Sequence, residues 1–271
     1  MKYLIRLFNF LKIPYCLTFA SNSIQMSSYN SESRKKYWQS LLSMTKNIDI
    51  LNPTNTINNY RGKKFLSPTS FPYLLQLNPI SREKFENTDR KNIIVFCGSF
   101  IPQKNPVFAI EGFSVFLKEY SGIFPDVVLV MIGKGVLNEE IFVHARRINR
   151  EFNREAIVLE KESRIHEVLS ESKIFLSLQD YDNYPSQSVM ESMLFCNSVI
   201  SIANGDTEKL IKPIFNNVLL KEKDSYKLAV AIKDLLGEWK LNLDNRNHVL
   251  KKFSIEEYVR YFFKMHSEII S

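Results

Sequence analysis

The chain has 271 residues, 45% hydrophobic and 24% charged, with 36 Lys and Arg against 29 Asp and Glu for a formal charge of +7. That composition fits one large or two small globular domains, and the basic excess favours anionic partners. The basic runs Arg34-Lys-Lys36, Arg61-Gly-Lys-Lys64 and Lys251-Lys252 are short, with no aromatic interleaving and no recognition motif, so nucleic acid is excluded as the expected partner.

Met1–Phe19 combines Lys2 and Arg6 with apolar residues, but Lys12 and Pro14 interrupt the core a signal peptide needs. No apolar run reaches the length of a membrane span. A cytoplasmic protein is expected, either free or associated peripherally with the inner membrane face. Cys16, Cys97 and Cys196 stand far apart, which suggests reduced thiols, and His144, His166, His248 and His266 are equally scattered. Neither a zinc site nor a Ser/His/Asp triad can be built from them, and no metal is expected.

In chain order, Leu4–Leu11 reads as an amphipathic helix, Tyr15–Phe19 as a strand and Arg34–Lys46 as a second helix. Ile48–Leu51 is a short apolar run, Asn55–Tyr60 is read as helical, and Phe65–Leu66 precedes a turn at Ser67-Pro68. Ser81–Lys91 is charged and aperiodic, the candidate linker. From Ile93 the pattern becomes regular. Strands are expected at Ile93–Cys97, Val127–Ile132, Ala156–Leu159, Ile174–Leu178, Val199–Ile202 and Asn217–Leu220. Helices are expected at Pro106–Tyr120, Asn138–Phe152, Arg164–Ser170, Ser188–Phe195, Thr207–Ile211, Asp224–Trp239 and Ser254–Ile270. Apolar runs of this length alternating with helices predict a parallel α/β sheet covered on both faces. Right-handed crossovers then gather the strands' C-terminal loops on one edge, where ligands bind.

Three of those loops carry candidate chemistry. Gly98 directly follows a strand and lets a ligand approach the backbone, with Lys104 within reach of a phosphate. Gly133-Lys-Gly135 lacks the third glycine of a dinucleotide fingerprint and follows the second strand, so a nicotinamide cofactor is rejected. Asp182, Asn183, Ser186, Ser188 and Glu191 surround a helix start suited to an anion. Ser188 with Glu191 also fits a capping box, a structural use of the same residues.

Together, Gly98…Lys104, Gly133-x-Gly135, Asn183-Tyr-Pro-Ser-Gln-Ser-Val-Met-Glu191-Ser-Met193 and Gly205-Asp-Thr-Glu208 resemble the C-terminal, donor-binding domain of family 4 glycosyltransferases with the GT-B fold. The resemblance covers residues 90–271, with four motifs in order. It implies a Rossmann-like sheet over residues 91–252 binding a nucleotide-diphosphate sugar, preceded by a partial second α/β domain over 1–90. A C-terminal helix over 253–271 would pack back on that first part.

The resemblance also implies roles. Lys104 would contact the donor diphosphate, and Glu191 would accept hydrogen bonds from the ribose diol. Backbone amides over Tyr184, Ser186, Gln187 and Ser188 would hold phosphate, with Gly98, Ser99 and Gly133 beside it and Arg164 beside the nucleobase. Lys104, Asp182 and Asn183 form the catalytic set. No cofactor is implied beyond the donor, and the acceptor would be a saccharide or a lipid-linked one, as in polysaccharide biosynthesis.

Two departures stand out. Ser99 occupies a position where the family usually has an arginine, removing one cation from the leaving diphosphate. The first glutamate of its Glu-x7-Glu motif falls on Asn183, with Asp182 one residue early. In addition, Pro14–Phe19 and Trp38–Ser70 resemble only the last third of an N-terminal domain, so that domain is expected to be truncated. The leading expectation is a retaining hexosyltransferase. The alternatives are a non-catalytic nucleotide-sugar-binding remnant and an unrelated α/β regulatory module, which explains the strands but not the four motifs.

Overall fold

The computed structural model describes residues 1–19, 32–50, 60–67, 88–182 and 184–271. Asn183, residues 55–59 of the expected second-region helix and residues 81–87 of the expected linker lie outside them. Contacts divide the chain into two units, Met1–Gln76 with Lys251–Ser271, and Leu77–Leu250.

In the first unit, α1 (Lys2–Phe10) precedes β1 (Leu17–Phe19), and α2 (Glu32–Met44) precedes β2 (Asn47–Ile50) and β3 (Lys63–Leu66). The strands form a parallel sheet in the order β1-β2-β3. Ile48 and Ile50 of β2 are buried, with Trp38, Leu42 and Tyr60 packed against them.

In the second unit, β4 (Ile93–Cys97), α3 (Pro106–Tyr120), β5 (Val128–Ile132), α4 (Asn138–Glu151), β6 (Ile157–Glu160) and α5 (Ile165–Glu171) form one half. The other half contains β7 (Ile174–Ser177), α6 (Gln187–Leu194), β8 (Ser198–Ile202), α7 (Thr207–Leu210), β9 (Val218–Leu220), α8 (Ser225–Gly237) and α9 (Leu243–Lys252). All six strands are parallel, in the order β6-β5-β4-β7-β8-β9.

Strands buried on both faces need apolar side chains on both, which explains why they read as unbroken runs rather than alternations. On one face Ile94, Phe96, Leu129, Met131, Leu176 and Ile200 meet Phe113, Phe116, Ile141, Leu228 and Ile232 of α3, α4 and α8. Val95, Phe175 and Val199 are also buried, and α5 packs on β4 while α6 packs on β7 and β8. Burying each of these large side chains contributes roughly 1.5–3 kcal/mol, with Phe113 and Phe116 stacked at a centroid distance of 5.9 Å. Local signals set the helix ends. Pro106 occupies the first turn of α3 after Asn105 in the left-handed conformation. The Asp224 carboxylate accepts from the Tyr226 and Lys227 amides, at 2.9 and 3.0 Å, to start α8.

A buried arginine locks the sheet edge remote from the C-terminal loops. Arg90, just ahead of β4, donates to the carbonyls of Leu169 (3.2 Å), Ser172 (2.8 Å) and Phe195 (2.5 Å) and to Asn197 Oδ1 (3.2 Å). Burial lowers its pKa to about 10, so it stays charged at neutral pH. A second buried polar knot seats α9, which the sequence pattern did not reveal. Asn245 exchanges hydrogen bonds of 2.8 and 2.9 Å with Asn217 and donates to the Asn197 carbonyl at 2.8 Å.

The chain ends in α10 (Ile255–Ile270), started by Ser254 Oγ accepting from the Glu257 amide at 3.3 Å. Within the first unit the Tyr261 hydroxyl of α10 donates to Asp49 of β2, and Thr18 Oγ1 donates to the same carboxylate at 3.1 Å. Lys63 and Glu268 form an ion pair at 2.7 Å. No helix among the described residues is long and apolar enough to cross a membrane.

Asp49 is almost fully buried, and burial raises its pKa while the two hydroxyl donors hold part of that rise back. A carboxyl whose pKa is raised on folding penalises the folded state only when ionised. The first unit is therefore favoured with Asp49 protonated and loses that advantage as pH rises through the folded pKa. Thr18→Val removes a donor to the anion, so the Asp49 carboxyl is expected to titrate still higher. Carbon chemical shifts of the side-chain carboxyl followed against pH check this, and a downward move would contradict it.

Candidate functional site

The strand order places a switch point between β4 and β7. The chain leaves β4 toward β5 on one side, while β7 and its successors build outward on the other. In such sheets the crevice lies at the C-terminal ends of the two strands that flank the reversal. Here those ends are Cys97 and Ser177, followed by the Gly98–Asn105 and Leu178–Ser186 loops.

Main chain holds the β4 and β5 loops together. The Gly98 amide donates to the Ile132 carbonyl at 3.0 Å, and Phe100 exchanges bonds with Lys134 O (2.9 Å) and the Leu137 amide (3.0 Å). A Cβ on Gly133 would lie 1.9 Å from Gly98 O, and one on Gly135 would lie 2.3 Å from Phe100 O. No side chain fits at either position. At Gly98 the opposite holds. Nothing lies within 4 Å of where its Cβ would point, which leaves half-buried backbone facing open space.

The β4 and β7 loops are clasped on both sides of Lys104. The Asp180 amide donates to Gln103 O at 3.0 Å, and Asn105 Nδ2 donates to Leu178 O at 2.7 Å and Asp180 Oδ1 at 2.8 Å. Lys223 adds an ion pair to Asp180 at 3.0 Å. Between these ties the Lys104 ammonium sits 5.1 Å from the Tyr181 ring centroid, over its face.

The β8 loop reaches the same place. Gly205, at φ +52°, has no room for a Cβ because Asp182 Oδ2 would be 2.5 Å from it. Asp182 in turn accepts from the Tyr184 amide at 3.1 Å. A cis peptide joins Tyr184 to Pro185, and Ser186 is the N-cap of α6 with no side-chain cap bond. The helix thus starts at Gln187, and Ser188 is its second residue. The capping box expected of Ser188 with Glu191 does not form. Glu191 instead accepts from Gln187 Nε2 at 3.0 Å, one turn back. The uncapped first turn presents amides and the positive end of the helix dipole.

Charges at the end of β4 give an independent view of this convergence. Burial pushes the Cys97 thiol up to about 12, Glu191 and Glu162 push it further in the same direction, and Lys104 opposes them. One cation and two carboxylates therefore act on a single strand end. Lys209 pairs with Asp206 at 2.9 Å, and its pKa is raised first by that bond, with smaller contributions from Tyr184 and Asp182.

The sequence-predicted residues divide as follows. Gly98 and Gly133 meet through main chain, Ser99 is exposed beside them, Lys104, Asp182, Tyr184 and Ser186 lie on the loops just described, and Gln187, Ser188 and Glu191 lie in the first turns of α6. Arg164 has its donors committed to Glu160 (2.5 Å) and Glu167 (2.5 and 3.1 Å), which raise its pKa. It lines a groove of about 420 Å³ along the sheet face with Lys91, Asp126, Val128 and Val158. Sequence reasoning missed Tyr181, Asp180, Lys223 and Glu162. It also missed Asn105, whose left-handed conformation before Pro106 is a signal that could have been read. Among the described residues no three His, Cys, Asp or Glu side chains group as metal ligands.

Comparisons with solved structures agree with this architecture. The chain is similar to TarM of S. aureus, crystallised with fondaparinux, α-GlcNAc-glycerol and UDP, at 14% identity and a TM-score of 0.72, covering 92% of this chain and 50% of that one. It is similar to HepE of Anabaena in complex with UDP and glucose, at 11% identity and a TM-score of 0.72, covering 97% and 73%. The C-terminal domain of the group 1 glycosyl transferase LpcC of Francisella tularensis matches 64% of this chain over 93% of its own, with 18% identity and a TM-score of 0.53. The chain spans about half the length of TarM. No curated protein matches it. At these identities the likeness is one of fold, the GT-B α/β architecture. The family model for glycosyl transferases group 1 matches residues 78–252, more than half of the chain, and the chain belongs to that family.

Proposed function

We propose that the chain is a family 4 glycosyltransferase that moves a hexose from a nucleotide-diphosphate donor to a saccharide or lipid-linked acceptor, with retention. It would act in the cytoplasm or at the inner membrane face. The observation that carries this reading is the meeting of the β4, β5, β7 and β8 loops around Lys104, beside the N-terminus of α6 on which Glu191 stands. The UDP in the TarM and HepE structures supports a nucleotide donor. In this reading the open space beside Gly98 admits the diphosphate, and the first-turn amides of α6 bind it. Lys104 neutralises the charge that develops as the sugar departs. Glu191 takes the ribose diol, and Asp182 orients the sugar, with no metal required.

Calorimetric titration with UDP- and GDP-sugars tests the proposal. Glu191→Ala is expected to weaken binding at least about tenfold, the loss of a charge-assisted hydrogen-bond pair, while leaving the thermal unfolding midpoint unchanged. A folded chain that binds no donor would sink the reading. A second reading, donor binding without transfer, is favoured by Ser99 at the arginine position. Donor hydrolysis assayed without acceptor separates the two, because a binding-only protein releases no nucleotide diphosphate.

A further inference from the structure

The candidate site meets a diphosphate with Lys104 and the first-turn amides of α6, and a departing diphosphate carries more negative charge than one ammonium neutralises. Several other cations on these loops are already committed. Lys223 pairs with Asp180 at 3.0 Å, Lys209 with Asp206 at 2.9 Å, and Arg164 with Glu160 and Glu167. Lys161 and Lys221 follow β6 and β9, the outer strands, each two strands from the β4–β7 seam and so about 10 Å to the side. Lys134 differs on both counts. It follows β5, the neighbour of β4, and among the described residues its ammonium has no ion-pair or hydrogen-bond partner.

Register decides where Lys134 stands. The parallel ladder pairs Cys97 with Ile132. Beyond it the Gly98 amide donates to Ile132 O and the Phe100 amide to Lys134 O, two residues further along both strands, so the offset is unchanged. Ser99 is therefore level with Lys134, on a strand about 4.8 Å away, and both residues are exposed. A lysine ammonium reaches roughly 6 Å from its Cα, so a cation carried at 134 covers the space above Ser99, beside the opening at Gly98. The flanking glycines sharpen the point. Gly98 O and Phe100 O occupy the places where a Cβ on Gly133 or Gly135 would go, so Lys134 carries the one side chain of that tripeptide.

We propose that Lys134 is a second phosphate-binding cation, which joins Lys104 from the adjacent strand to hold the donor diphosphate and stabilise it as the sugar departs. The bond from the anomeric carbon to the diphosphate oxygen breaks and its electron pair stays on that oxygen. The acceptor hydroxyl oxygen forms the new bond and gives its proton to the departing phosphate. Lys134 meets the added charge and exchanges no proton. The assignment rests on the nucleotide-donor reading and adds a residue to it.

Calorimetric titration of the full chain with UDP and GDP, and turnover of their sugar donors, test it together. Lys134→Ala is expected to weaken diphosphate binding about fivefold and to lower kcat at least about tenfold. The thermal unfolding midpoint is expected to stay unchanged, because the side chain lies in water. Lys134→Arg is expected to keep most of both. Adding Ser99→Arg to Lys134→Ala is expected to restore them, since a cation level with the lost one meets the same phosphates. A lysine that only supported its own loop is not replaced from another strand. Unchanged affinity and kcat in Lys134→Ala overturn the proposal, and so does a loss that neither arginine recovers. If the native chain binds nucleotide without turning it over, the affinities alone decide. A native chain that binds UDP or GDP no better than Lys134→Ala does ends this assignment and leaves the donor reading standing. A native chain that binds neither ends both.

Discussion

Lys104→Ala is expected to slow donor turnover by about 10²–10³-fold, with a much smaller change in donor KM. The reasoning starts from charge. Departure of a nucleotide diphosphate adds negative charge that Lys104 and the α6 amides are placed to meet in the proposed site. The amides are fixed, so the ammonium is the movable part. Its neighbours Gln103 and Asn105 are both tied to the β7 loop, which leaves the lysine aimed with its tip over Tyr181. Lys104→Arg keeps the charge and is expected to retain part of the rate. In the proposed site Ser99→Arg would add a further cation and is expected to raise the rate. Release of nucleotide diphosphate, followed as kcat and KM separately, decides the matter. Unchanged kcat in Lys104→Ala would remove the lysine from the chemistry.

Arg90→Ala has the largest effect expected on stability, a loss of about 3–5 kcal/mol from the second unit. Its guanidinium serves three carbonyls and one amide oxygen in buried surroundings; truncation withdraws that donor from all four, although Leu169 O keeps Ser172 Oγ and Asn197 Nδ2, and Asn197 Oδ1 keeps Ser172 Oγ. Each such buried acceptor costs about 1–3 kcal/mol when a donor is withdrawn, partly offset by relief of the buried charge. Arg90→Lys is expected to recover only a fraction, because a single ammonium cannot span the fork that reaches Leu169, Ser172 and Phe195 together. The midpoint of urea unfolding measures both. Since Arg90 lies ahead of β4 and the candidate site follows it, donor affinity per folded molecule should be unaffected.

Most of the second unit was legible because its physics is written in apolar runs. Each of β4 to β9 is short, and those at the centre are buried on both faces, so Ile93–Cys97 and Ile174–Ser177 stood out without alternation. Helix α9 was invisible for the complementary reason. Its sequence, Leu-Asp-Asn-Arg-Asn-His-Val-Leu-Lys-Lys, buries only Asn245 and Val249, and it is seated by amide hydrogen bonds rather than an apolar stripe. The start of α6 was misplaced by one residue because Ser186 and Ser188 are equally good caps on paper, and the helix begins after the first.

At the site, Gly98, Lys104, Gly133 and Glu191 could be named from their places after strands or at a helix start. Tyr181, Asp180 and Lys223 could not. Their roles depend on partners such as Asn105, which lies 75 residues before Asp180 and 118 before Lys223. Such pairings are products of strand order, and no local pattern encodes them.

The β4–β7 seam has a further consequence, for how the protein forms. Its register sets Ile94 opposite Ile174, a far greater chain separation than between β4 and β5, where Ile93 meets Val128, or between β7 and β8, where Ile174 meets Ser198. Loop closure over such a distance makes this pairing the slowest to be rewarded during folding. The Asn105–Asp180 clasp and the candidate site both straddle it. A nucleotide bridging the two loops would bind only chains that have closed the seam and would hold them closed. Its donor would then act as a folding ligand, protecting the second unit in proportion to its concentration.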